Sequence, residues 1–153
     1  MAQSTKKDGL GEVLEFMRLV WAMHHGLQAT SKRMAVQLGV TGPQRLVIRL
    51  VGRRPGISAG ELADVLRVHP STLTGVLRRL EERAFISRKA DPEDRRRAVL
   101  TLTPGGKGID AQRGGTVEAA VRRVIERTPE ADLEATRRTL TALAHELGGD
   151  EES

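Results

Sequence analysis

Cysteine is absent from the chain and tyrosine is absent with it, while aromatic residues make up only 2% of the whole. No cysteine means no disulfide staple, no thiolate zinc site and no thiol redox switch. So few aromatic faces exclude a stacking platform for single-stranded nucleic acid. No apolar run approaches the length of a membrane span, and the N-terminal MAQSTKKDG is polar rather than a signal-peptide core. These absences describe a soluble, cytoplasmic protein with a frayed start, whose core rests on Leu, Val, Ala, Ile and Met.

What is present is 153 residues, enough for one domain with extra helices, and a net charge of +5 that is unevenly spread. Of 25 basic and 20 acidic residues, positions 45–97 hold 13 and 7, which leaves 12 and 13 for the rest. The positive excess therefore lies in the middle third, where it suits a polyanion better than a neutral small substrate.

Apolar residues recur at helical steps through Leu10, Val13, Leu14, Met17, Val20, Trp21, His24 and Leu27, predicting one long helix to about Gln37. Thr41 and Gln44 have capping-box spacing and open a second helix, which stops at Arg53-Arg54-Pro55-Gly56. Ser58 and Glu61 repeat that spacing for a third helix, with Leu62, Ala63, Val65 and Leu66 inward. A tight turn at Val68-His69 leads to Pro70 at a first helical position, with His69 as a mediocre N-cap. The fourth helix buries Leu73, Val76, Leu77 and Leu80.

Phe85–Lys89 and Ala98–Leu102 are strand-like and flank DPEDRRR, residues 91–97, whose Asp-Pro pair favours a turn. This charge run is thus a hairpin tip. Counted back from Ala98 at the strand period, Arg96 falls on the inward side, so only a bend at the tip turns it outward. Thr103-Pro104 starts a glycine-laden helix with a weak place at Gly114-Gly115, and Thr128-Pro129-Glu130 caps a last helix carrying Leu133, Leu140, Leu143 and Leu147. The tail GGDEES reads as disordered, and no internal repeat is present.

Residues 58–102 thus spell helix, turn, helix, hairpin, the order of a winged helix-turn-helix, which lays its second helix in the DNA major groove. The competing reading is a generic helical bundle with an incidental hairpin. Opposite the leucine stripe of the second helix lie Ser71, Gly75, Arg78 and Glu82, flanked by Thr72, Thr74 and Arg79. Small hydroxyls reach base edges or phosphates, Gly75 removes a side chain where the helix presses into the groove, and Arg78 reaches a guanine edge or a phosphate. An ordinary surface helix carries Glu, Lys and Gln there, with no interior glycine.

Segment 41–109 resembles the multiple-antibiotic-resistance regulator (MarR) family of bacterial transcription factors. The matching phrases are TGPQRLVIRL, ISAGELADVL, HPSTLTGVLRRLEERAFI and DPEDRRRAVLTLTPGGKGI, the last two being the specific ones. The resemblance implies a mainly α fold with a small β-hairpin wing. A winged helix-turn-helix at 41–103 is flanked by dimerisation helices at 1–40 and 104–147, with a disordered tail at 148–153. It implies a homodimeric repressor, or less often an activator, on a pseudo-palindromic site in double-stranded DNA. Arg96 matches the wing-tip arginine that enters the minor groove, and Asp94 matches its accompanying acid, which either orients the guanidinium or merely balances charge. Ser71, Thr72, Thr74, Gly75 and Arg78 fall on recognition-helix positions, with Arg79, Arg88, Arg95 and Arg97 as further DNA contacts. Ala84 departs from the family's usual glycine before the wing, and a left-handed turn there is strained in alanine.

Relatives often release DNA on binding a small aromatic or phenolic effector. Met17, Trp21, His24 and Gln28 share a face of the first helix that suits such a pocket, although a lone Trp and His also suit interface packing. His24 and His25 point apart and lack metal-ligand spacing, so neither a metal nor another cofactor is expected. With no P-loop, GxSxG or dinucleotide fingerprint, an enzyme is not expected either. A winged-helix module for protein–protein contact remains the alternative, set against the clustering of Arg78, Arg88, Arg95 and Arg96.

Overall fold

The computed structural model describes residues 11–148, so the polar start, Leu10 and all of the tail after Gly148 lie outside the described residues. The chain divides into two compact units at Thr116. In the first, the order is α1 (Gly11–Gln37), α2 (Gly42–Arg53), β1 (Ile57–Ser58), α3 (Ala59–Leu66), α4 (Pro70–Glu82), β2 (Ile86–Ala90), β3 (Ala98–Leu102) and α5 (Pro104–Ala111). The second holds α6 (Val117–Ile125) and α7 (Glu130–Gly148).

Local chemistry starts α2, α3 and α5 where the spacing predicts. Thr41 accepts the Gln44 amide while the Gln44 side chain returns to the Thr41 amide, and Ser58 and Glu61 do the same for α3. Each box satisfies two amide donors that a helix start leaves orphaned. Thr103 caps α5 by accepting from the Gly106 amide at 3.0 Å. At the last helix the expectation fails. The Pro129 carbonyl accepts the first helical bond of α7 from Leu133, and the Thr128 hydroxyl donates backward to the Val124 carbonyl at 2.7 Å. Proline's fixed φ pre-sets this start without a hydroxyl cap.

The core gathers Val40, Val47, Ile48 and Val51 from the α2 region, Ile57, Leu62 and Ala63 around α3, Leu73, Leu77 and Leu80 from α4, and Ile86 and Leu100 from the sheet. Val65 is exposed rather than inward, because Leu62, Ala63 and Leu66 already cover the inner side of so short a helix. Two-residue β1 was not anticipated. It makes the hairpin a three-stranded antiparallel sheet of order β1-β3-β2, with Ile57 opposite Leu100 and Ser58 opposite Val99.

Arg45 is buried on α2, and its guanidinium donates to the carbonyls of Ile109 and Gln112 at the end of α5. Its neighbour Arg49 pairs with Asp110 at 2.6 Å. Cations belong at a helix C-terminus, where carbonyls lack partners, so α2 and α5 are clamped together. On the other side of α5, a Cβ on Gly106 would stand 1.9 Å from the Phe85 carbonyl oxygen, so only glycine allows α5 to approach the start of β2.

On α1 only Met34 is buried; Val13, Met17 and Trp21 are each at least 60% exposed. Most of the apolar stripe that defines this helix is thus exposed among the described residues, with Val20 half-buried. Within the second unit, Val121, Val124 and Ile125 of α6 are also exposed. Among the described residues no helix is long and apolar enough to cross a membrane.

Candidate nucleic-acid interface

The turn between α3 and α4 is tight because Arg67 takes the left-handed conformation (φ 52°) and its amide bonds back to Ala63 and Asp64. The left-handed residue is Arg67 itself, just before the predicted Val68-His69 turn. His69 then adopts an extended conformation, and its Nδ1 accepts the Ser71 amide at 3.2 Å, with Pro70 as first helical residue. An imidazole nitrogen thus fills the role usually taken by Ser, Thr, Asp or Asn.

Three leucines point α4 inward, which leaves Ser71, Thr72, Thr74, Arg78 and Arg79 exposed on the outer side. The Ser71 hydroxyl lies 2.6 Å from His69 Nδ1, and the Thr74 hydroxyl donates to the Pro70 carbonyl at 2.9 Å. Both keep acceptor lone pairs free. A Cβ on Gly75 would meet nothing within 4 Å, so the glycine is not required by internal packing. Arg78 is held only loosely, 3.7 Å from Glu82.

The tip, residues 91–97, is shaped by two aspartates. Asp91 Oδ1 accepts the Glu93 amide at 2.9 Å, and Asp94 Oδ1 accepts the Arg96 amide at 3.0 Å. Such Asx turns bend the chain sharply. The Arg97 amide donates to the Asp94 carbonyl at 2.9 Å, and the Asp91 amide donates to the Arg97 carbonyl at 2.8 Å, closing the loop. This bend takes Arg96 off the strand alternation that pointed it inward. Its side chain is 96% exposed, with Nε 3.6 Å from Asp94 Oδ1. Asp94 both turns the backbone and faces the Arg96 guanidinium.

The other arginines differ in their freedom. Arg95 is exposed at the tip. Arg88 on β2 donates to Glu81 of α4 at 3.1 Å, tying the hairpin to that helix. Arg97, read from the sequence as a DNA contact like Arg95, is exposed and pairs with Glu61 on α3. Asp91 and Asp94 add to the field of Glu61, and the guanidinium is stabilised in its charged form. Sequence reasoning missed Glu61 as part of this assembly, since nothing local connects two residues 36 positions apart. It also missed Arg83, whose guanidinium bonds the Gly39 carbonyl and lies 4.8 Å from the Phe85 ring centroid.

Away from this surface, Met17, Trp21, His24 and Gln28 lie on exposed parts of α1, with the Trp21 and His24 rings 6.3 Å apart. Among the described residues no group of three or more His, Asp or Glu side chains is arranged to hold a metal ion.

Helix, turn, helix and a sheet with a bent basic tip define a winged helix-turn-helix protein. The sequence model of the MarR family matches residues 40–98. An HTH-type transcriptional repressor of Mycobacterium tuberculosis (strain H37Rv) is 32% identical over 106 residues, covering 69% of this chain and 76% of the relative. A crystal structure of MarR is similar at 30% identity and a TM-score of 0.61, covering 86% of this chain and 96% of that one. The Staphylococcus aureus MepR–DNA complex shares the fold at 20% identity, with a TM-score of 0.70 over 86% of this chain and 97% of that one. The chain belongs to the MarR family of transcriptional regulators, which are not enzymes.

Proposed function

We propose that this chain is a cytoplasmic transcriptional repressor that binds a pseudo-palindromic operator in double-stranded DNA as a homodimer. In this reading 41–103 is the DNA-binding part, and 1–40 and 104–147 are the dimerisation parts. The observation that carries it is Arg96, turned out of the strand path by the Asp94 bend and almost fully exposed. A guanidinium so presented fits a narrow, electronegative minor groove, which is read by shape. Ser71, Thr72, Thr74 and Arg78 meet base edges in the major groove across the gap left by Gly75, while Arg79, Arg88 and Arg95 serve phosphates.

Arg96→Ala tests the reading. It weakens binding to a duplex selected by the wild-type protein at least tenfold, of the order expected for one lost base-region contact, and leaves the melting temperature unchanged. Equal affinity in a fluorescence-anisotropy titration overturns the wing assignment. A salt titration separates DNA binding from the protein–protein alternative, since affinity for DNA falls with a slope of about −0.9 per neutralised phosphate.

An effector site for a small aromatic or phenolic molecule is part of the same proposal. The exposed Trp21 and His24 rings, with Met17 and Gln28, offer one apolar wall and two polar handles. Quenching of Trp21, the only tryptophan, by a panel of phenolic compounds tests it directly.

A further inference from the structure

Glu61 sits outside the reading face, in the first turn of α3, and its carboxylate is surrounded by donors. The Ser58 amide donates at 2.8 Å, the Ser58 hydroxyl at 3.0 Å, and the Arg97 guanidinium completes the set. Arg97 is also the residue whose backbone closes the tip, donating to Asp94 and accepting from Asp91. The pairing of Ser58 with Val99 in the β1–β3 ladder brings the start of α3 beside the base of the tip.

We propose that Glu61 is a positioning residue for the wing: fixed by its capping box, it grips Arg97 and sets the direction in which the tip presents Arg96. This rests on the DNA-binding reading above. An exposed ion pair usually contributes little, because two flexible side chains must be held in one geometry. Here that cost is largely met beforehand, since Ser58 already holds the carboxylate and the tip hydrogen bonds already hold the Arg97 backbone. What the pair adds is orientation rather than stability. Arg97 is then an internal anchor and not a phosphate contact, unlike Arg95 next to Arg96.

Two substitutions in the full chain separate these roles. Glu61→Gln removes the charge but keeps an acceptor for the Ser58 amide, and Arg97→Gln leaves the capping box intact. In the absence of DNA, amide hydrogen exchange at residues 94–97 becomes several-fold faster in both variants while the melting temperature holds, as expected for local opening of an unanchored tip. With a duplex that the wild-type protein selects from a random-sequence library, each variant loses about tenfold in affinity, and the double variant loses little more than either single one. The salt slope of Arg97→Gln matches that of the wild type.

A slope reduced by about 0.9 in Arg97→Gln makes it a phosphate contact and overturns the proposal. So does exchange at 94–97 that is unchanged in both variants. If the wild-type protein selects no duplex, the DNA-binding reading falls by itself, and the exchange measurement still decides whether Glu61 anchors the tip.

Discussion

Ala84 sits in the left-handed region at φ 54°, and its amide bonds the Glu81 carbonyl as α4 unwinds into β2. A Cβ in that conformation costs about 1–2 kcal/mol, part of which glycine gives back as unfolded-chain entropy. Ala84→Gly is therefore expected to stabilise the protein by about 0.5–1 kcal/mol in urea denaturation, a gain visible as a shifted midpoint with an unchanged slope. Glu61 offers a second single-residue test. The Ser58 amide, the Arg97 guanidinium and the Ser58 hydroxyl hold its carboxyl down to about 2, from an ordinary 4.5. A carboxyl depressed by folding stabilises the native state above its ordinary value, and that contribution disappears as pH falls toward the folded value. Because the group is exposed, solvent screens most of this in global unfolding, and the expected readout is local. Between pH 4.5 and 2 the exchange protection of residues 94–97 in the wild type falls to that of Glu61→Gln, and a constant difference between the two would contradict the assignment. Charge and spacing told where arginines cluster, but not which of them are free. Arg96 and Arg97 are adjacent and chemically identical, yet one is presented and the other is anchored, because the Asx turn and a partner 36 residues away decide it.

Among the elements, α2, α3 and α4 were legible because their signals are short-range. Thr41 with Gln44 and Ser58 with Glu61 are three residues apart, and the leucines of α4 repeat at three and four. The glycine-laden helix read as one with a weak place at Gly114-Gly115 is instead two: α5 ends at Ala111 and α6 starts at Val117, with Gly115 left-handed between them. Strand β1 was not legible, since two residues have no period and exist as strand only through the partner β3. The α2–α5 clamp was equally hidden, because Arg45 resembles any other basic residue until the carbonyls of Ile109 and Gln112 surround it. The glycines of α5 looked like mere helix weakening, whereas Gly106 is a close approach to the Phe85 carbonyl. Gly106→Ala is expected to cost at least about 2 kcal/mol, since backbone rather than a movable side chain must shift. Calorimetry should show a clear drop in melting temperature. The outward Gly108, which has nothing within 4 Å, serves as the control.

For the whole molecule, the exposed apolar residues of α1 in the first unit and, separately, the exposed valines of α6 in the second are what motivates the proposed homodimer. Exposed apolar surface of this kind is a mark of association sites, and a two-fold protein expects an inverted repeat with half-sites about one helical turn apart. Light scattering is expected to report two chains for the wild type and one for a Met17→Glu, Trp21→Glu double variant. That variant should keep the fold of residues 41–103 and lose operator affinity by at least tenfold, because one half-site then binds alone. A monomeric wild type would remove the palindrome from the proposal.

The vacancy at Gly75 has a consequence for how such a regulator changes its target over time. Nothing inside the protein depends on that position being empty, and alanine there would strengthen the helix. On the DNA-binding reading proposed above, glycine at this site is a stability concession that keeps the helix able to come close to the duplex. The same openness makes it an adaptable position. A single substitution to a hydrogen-bonding residue meets no steric barrier from the fold, so on that same reading a new operator preference lies one mutation away, with the core and wing left as they are.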